Sequence, residues 1–169
     1  MKKQKIGLDI DGVLADFMWS WHKLHPEIPS EPDSYDFDKN IKQRLTDMGI
    51  AGTLDDFYLS ITPLIEPEDI PFEVTCYVTS RPVSSDVSAK WLQKCGFPDR
   101  PVFTVPMGTS KVDVMKAAGV EIFIDDYYEN FIDLNNKGIL TYLYSAPWNM
   151  NYDVGDMRIN SLNDILVIK

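Results

Sequence analysis

Residues 5–17 read KIGLDIDGVLADF. A short apolar, strand-like run ends in two aspartates, Asp9 and Asp11, with Gly12 directly behind them. In extended geometry residues two apart point the same way, so the two carboxylates would share one side of the strand end. At roughly 4 Å and an effective dielectric of 20, one such repulsion costs about 4 kcal/mol. The stretch therefore needs a cation or a proton close by. Gly12 permits a tight turn into a following helix. An acidic loop that merely caps that helix is the plainer alternative.

Working outward, the same grammar repeats. Apolar, β-rich runs at KIGLDI, FEVTCYVT, PVFTV, VEIFIDD and ILTYLY alternate with segments of helical periodicity. That alternation predicts an α/β fold, a three-layer Rossmann-like parallel sheet with helices on both faces. Ligands of such sheets bind beyond the carboxyl ends of the strands. The first helix is expected from about Leu14 to Leu24, with Leu14, Phe17, Met18, Trp21 and Leu24 on its apolar stripe and Trp19 off it.

More than forty residues then separate that helix from the strand beginning near Phe72. The interval opens with HPEIPSEPDSYDF, rich in proline and acid, and continues through NIKQRLTDMGIAGTLDDFYLSITPLIEP, which suits one or two short helices. It is too long for an ordinary connection. We read residues 15–65 as a small helical cap inserted into a core formed by residues 1–14 and 66–169.

The chain carries 16 Lys and Arg against 26 Asp and Glu, a net charge of −10. That balance argues against gripping a long nucleic acid, which requires many phosphates to be neutralised. A small anion remains compatible if a metal supplies local positive charge. No apolar run is long enough to span a bilayer, and the basic start MKKQKIGLD resembles no signal peptide, so a cytoplasmic location is expected. The two cysteines, Cys76 and Cys95, match no metal spacing and are expected to be buried free thiols.

Three further stretches fall at expected strand or helix ends. In YVTSRP (77–82), Thr79 and Ser80 offer hydroxyls and backbone N–H groups suited to phosphate oxygens. Arg81 adds a phosphate-matching fork. A plain N-cap at Ser80 is the alternative. In MGTSKVDVMKAAG (107–119), Thr109 or Ser110 would cap a helix with Lys111 in its first turn, a poor place for a cation unless it faces an anion. In EIFIDDYYENF (121–131), Asp125 and Asp126 repeat the opening pattern. If the two strand ends are adjacent, four acids converge, and an all-oxygen set favours Mg²⁺.

The order DIDGV, TSRP, Lys111, IDD, with an insert after the first motif, resembles the haloacid dehalogenase superfamily of phosphotransferases along essentially the whole chain. DIDGVLADF, the TSRP start, KWLQKCGF, and YSAPWNMNY followed by MRINSLNDI are similar to its 5'(3')-deoxyribonucleotidase-like branch. The arginine after the threonine and serine departs from that branch, where proline is expected.

The resemblance implies that Asp9 is the nucleophile, forming an aspartyl-phosphate. Asp11 would act as general acid and base. Mg²⁺ would be held by Asp9, the Asp11 backbone carbonyl, and Asp126 with Asp125 behind it. It further implies phosphate contacts from Thr79, Ser80 and Lys111, and a substrate contact from Phe17. Arg81 could reach substrate phosphate or bridge to an acid. Trp19, Phe57 and Tyr58 are further candidates for stacking on a base. The expected substrate is a nucleoside monophosphate, with another small phosphomonoester such as a sugar phosphate as the alternative. A second copy could complete a pocket covered by so small a cap. A receiver signalling domain uses similar groups, but there the acidic pair follows the first strand and a lone aspartate comes later.

Overall fold

A computed structural model of the chain describes residues 4–167, so the basic start of the chain (1–3) lies outside the described residues. Six strands form one sheet: β1 (Ile6–Leu8), β2 (Val74–Thr79), β3 (Val102–Thr104), β4 (Ile122–Asp125), β5 (Leu140–Tyr144) and β6 (Arg158–Ile159). All neighbours are parallel, in the order β3-β2-β1-β4-β5-β6. The expected α/β parallel sheet is present. Its sixth strand, β6, escaped the sequence reading because two residues carry no periodicity.

Six helices accompany the sheet: α1 (Phe17–Leu24), α2 (Ile41–Ala51), α3 (Leu54–Ser60), α4 (Ser85–Lys94), α5 (Val112–Ala118) and α6 (Tyr128–Asn136). Side-chain alternation divides the core between the two faces. In β4, Ile122 and Ile124 join a cluster with Trp21, Leu45, Phe57 and Trp91 from α1 to α4. Phe123 between them joins Met115 of α5 and Leu134 of α6. Burial on both faces is why the strands read as continuous apolar runs.

α1 begins three residues later than expected. Leu14 and Ala15 donate their N–H groups to the Ile10 carbonyl at 2.8 and 2.9 Å, closing a tight turn. Asp16 then caps the helix by accepting from Trp19 N at 3.0 Å. Leu24 is half exposed at the helix end, and Trp19 faces solvent. Cys76 is buried as expected, but Cys95 at the end of α4 is only partly covered.

The segment between α1 and β2 packs into the same core as the sheet. Its return strand is stitched to the turn after β1, with Asp16 N donating to Thr62 O at 2.8 Å and Leu64 N to Leu14 O at 2.7 Å. Trp91 Nε1 of α4 donates to Ile61 O at 2.8 Å. The proline-rich stretch is irregular and is pinned where Trp21 Nε1 donates to Asp38 Oδ2 at 3.0 Å.

β1 sits where the chain reverses direction across the sheet, so a crevice opens at the carboxyl ends of β1 and β4. No described helix is long and apolar enough to cross a membrane.

Candidate active site

Asp9 follows β1, and its N–H continues the ladder to Ile124 O of β4 at 3.0 Å. That pairing fixes it beside Asp125 and Asp126. One carboxylate oxygen from each of these three buried residues lies within 4.8 Å of the other two. Lys111 Nζ, itself buried, sits between Asp9 Oδ2 at 3.0 Å and Asp125 Oδ2 at 2.8 Å. It stands at the cap position just before α5, not in the first turn, and Ser110 Oγ accepts from Val112 N at 3.2 Å.

Three carboxylates against one ammonium leave the cluster short of positive charge. Burial pushes the Asp9 carboxyl up to about 7; Lys111 opposes the rise, while Asp125 and Asp11 add to it. Asp126 is held well above the carboxylate range by burial first, then by Asp125 and Asp9. Burial works against the Lys111 ammonium, but Asp125 and Asp9 outweigh it and raise its pKa. Protons or a further cation must balance the remainder.

The late pair divides its work. Asp125 accepts from Lys111 Nζ, from Tyr127 N at 2.9 Å and from Asn130 Nδ2 at 3.0 Å. Its oxygens are thereby occupied. Asp126 accepts from Trp148 Nε1 at 2.8 Å, and its backbone carbonyl takes Asn149 Nδ2 at 2.8 Å. Gly12 explains itself here: at φ +79°, a Cβ at this position would lie 2.1 Å from Asp126 Oδ2. Asp126 occupies the space a side chain would need. A divalent cation fits this donor set: hard oxygens and a charge deficit of two. Asp9, Asp125 and Asp126 each offer one carboxylate oxygen that could hold it.

Asp11 does not share this cluster. The strand ends at Leu8 and a tight turn follows, and Asp9 and Asp11 both line one cavity. The Asp11 carboxylate, a quarter exposed, is instead gripped by Arg81, with Nε at 3.1 and 2.9 Å and Nη2 at 2.7 Å. Of the two roles open to Arg81, the structure shows the bridge to an acid. Thr79 ends β2 fully buried, with its hydroxyl 3.3 Å from Arg81 N. Ser80 caps nothing, because α4 begins five residues later with Ser84 as its cap.

Asp9, Asp11, Arg81 and Lys111 line one cavity of about 660 Å³ between the strand ends and the insert; Asp125 and Asp126 are not part of its lining. Asp9, Asp11, Thr79, Ser80, Arg81 and Lys111 form its polar floor, and Phe17, Tyr35, Phe37, Tyr58 and Tyr127 form much of its wall. Of the stacking candidates, Phe17 and Tyr58 reach the cavity, whereas Trp19 and Phe57 do not line it. Tyr35 was not singled out from the sequence. Its ring stacks on Tyr127 at 3.9 Å. Trp148, Asn149 and Asn130 were likewise missed as supports of the acids; only the resemblance of YSAPWNMNY drew attention to that stretch.

Solved structures similar to this chain share its architecture. An L-2-haloacid dehalogenase matches with a TM-score of 0.61 at 10% identity, over 97% of this chain and 98% of that one. A subfamily IA hydrolase of the haloacid dehalogenase superfamily from Geobacter sulfurreducens PCA matches at 0.60 and 15% identity, over 99% and 100%. The chain has the haloacid dehalogenase-like fold. Another dehalogenase matches that fold at 0.53 and 9% identity, over 99% of this chain and 97% of that one. No family model matches the sequence, and no curated protein does.

Proposed function

We propose that the chain is a Mg²⁺-dependent phosphomonoester hydrolase acting on nucleoside monophosphates through an aspartyl-phosphate on Asp9. The observation that carries this reading is the buried cluster of Asp9, Asp125 and Asp126 around Lys111, of which Asp9 and Lys111 line the cavity. A carboxylate can attack a phosphate dianion only where local positive charge offsets the repulsion, and this cluster is built to gather it. Asp9, Asp126 and the Asp11 backbone carbonyl would hold Mg²⁺, which when bound would neutralise the phosphoryl oxygens.

In the first step an Asp9 oxygen attacks phosphorus, the bond to the leaving oxygen breaks, and Asp11 gives that oxygen its proton. In the second, Asp11 takes a proton from water as the water oxygen attacks phosphorus. This frees Asp9 and releases inorganic phosphate. Lys111 stays charged beside Asp9 throughout, and the Thr79–Ser80 segment faces the transferring oxygens. The aromatic wall of the cavity suits a base, since stacking on such rings contributes about 1–3 kcal/mol.

Halide displacement, the chemistry in the names of two similar structures, needs neither a protonated leaving group nor an excess of carboxylates beside the nucleophile. The test is a panel of deoxynucleoside monophosphates, sugar phosphates and 2-haloacids, with Mg²⁺ and with chelator. Mg²⁺-dependent phosphate release from the nucleotides is expected. Turnover of sugar phosphates alone would move the substrate class, and halide release without metal would overturn the reading.

A further inference from the structure

The Arg81 guanidinium has no exposed surface, yet its partner Asp11 is a quarter exposed at the cavity wall. The fork lies between two ring faces, 5.0 Å from the Tyr58 centroid on α3 and 5.0 Å from Trp91 on α4. Nε and Nη2 are both spent on Asp11, while Nη1 is buried with no partner among the described residues.

A pair kept only for stability explains this poorly. Buried ion pairs repay little net free energy over an apolar replacement, and an unsatisfied buried N–H adds a cost. A fork locked from both faces and aimed edge-on at one carboxylate does, however, fix that carboxylate's plane and position. Without it, Asp11 at the cavity wall is free to rotate.

We infer that Arg81 is a positioning residue, holding the Asp11 carboxylate in the cavity lining, apart from the Asp9 cluster, in the ionised form and orientation needed to take the proton from the attacking water. Because Tyr58 belongs to the insert, the placement of that carboxylate depends on how α3 packs on the sheet domain. The inference rests on the phosphatase reading above and adds to it a residue that acts through Asp11 and touches no substrate.

The test is a double-mutant cycle with p-nitrophenyl phosphate and saturating Mg²⁺, comparing wild type, Arg81→Gln, Asp11→Asn and the double variant. Arg81→Gln should lower kcat about ten- to a hundredfold, a part of the ~10²–10⁴ that a placed acid–base group supplies, with KM changed less than about threefold. In the Asp11→Asn background the same substitution should change kcat by less than about threefold. Arg81→Lys, keeping charge but losing the fork, should recover only part of the rate. Tyr58→Leu, which loosens the fork without removing it, should cost a few-fold in kcat and nothing once Asp11 is Asn; this arm decides the matter if Arg81→Gln does not fold by circular dichroism.

Multiplicative effects of Arg81 and Asp11, or a rise in KM alone, would overturn the inference while leaving the phosphatase reading in place. A wild type that hydrolyses no phosphomonoester would overturn both.

Discussion

Asp9 and Asp11 are two residues apart in one motif and live in opposite electrostatic worlds. Asp9 lies buried among acids with one lysine to share, and its carboxyl is pushed up to about 7, chiefly by burial. Asp11 lies at the cavity wall, matched one to one with a guanidinium. Arg81 makes the difference, taking the second carboxylate while the first is left to the acidic cluster and Lys111. The contrast teaches that a short acidic motif need not be one site. One acid is left short of positive charge, which suits a nucleophile that works beside a cation. The other is neutralised and held, which suits a group that must keep its orientation.

The sharpest way to break the comparison is to remove each acid's distinctive feature. Asp9→Asn should lower kcat by about four orders of magnitude or more, because no other oxygen is placed to attack. The fold should survive, since the variant relieves repulsion in the cluster; residual turnover near wild type would remove Asp9 from its role. Asp126→Asn should weaken Mg²⁺ binding by about tenfold or more, read by calorimetry. A metal held at a hundredfold over its Kd should add about 2.7 kcal/mol to wild-type stability and correspondingly less to this variant. Gly12→Ala should cost at least about 2 kcal/mol in urea denaturation, from a left-handed backbone plus the collision with Asp126. An unchanged midpoint would show that Asp126 does not need that space.

The pH dependence sharpens the Asp9 side. A carboxyl that titrates at about 7 when folded and near 4 when unfolded binds more protons in the native state between those values. Stability of the metal-free protein should therefore fall as pH rises from about 4 to about 7, then level off. Saturating Mg²⁺ should flatten that slope. Stability rising with pH across this window would mean that Asp9 is stabilised, not strained, by its surroundings.

Much of this was legible in the sequence because strand ends announce themselves. Apolar runs closing on DID, TSR and IDD gave the sheet and brought Asp9, Lys111, Asp125 and Asp126 to one place. Position along the strand was less legible than position in the fold. The turn at residues 10–15 depends on backbone bonds to the Ile10 carbonyl, which no side-chain pattern encodes, so α1 began late. The sequence left Arg81 open between a phosphate and an acid, because its partner Asp11 lies seventy residues away in the chain. Trp148 and Asn149 were illegible for the same reason: they reach Asp126 from the connection between β5 and β6, across more than twenty residues.

The most direct measurement mixes the protein with a radiolabelled phosphomonoester in the presence of Mg²⁺, quenches in acid within one turnover, and asks where the label sits. The account predicts hydroxylamine-labile label on the peptide carrying Asp9, absent with chelator and absent in Asp9→Asn. Phosphate release without any protein-bound label, or label that persists in Asp9→Asn, would contradict it.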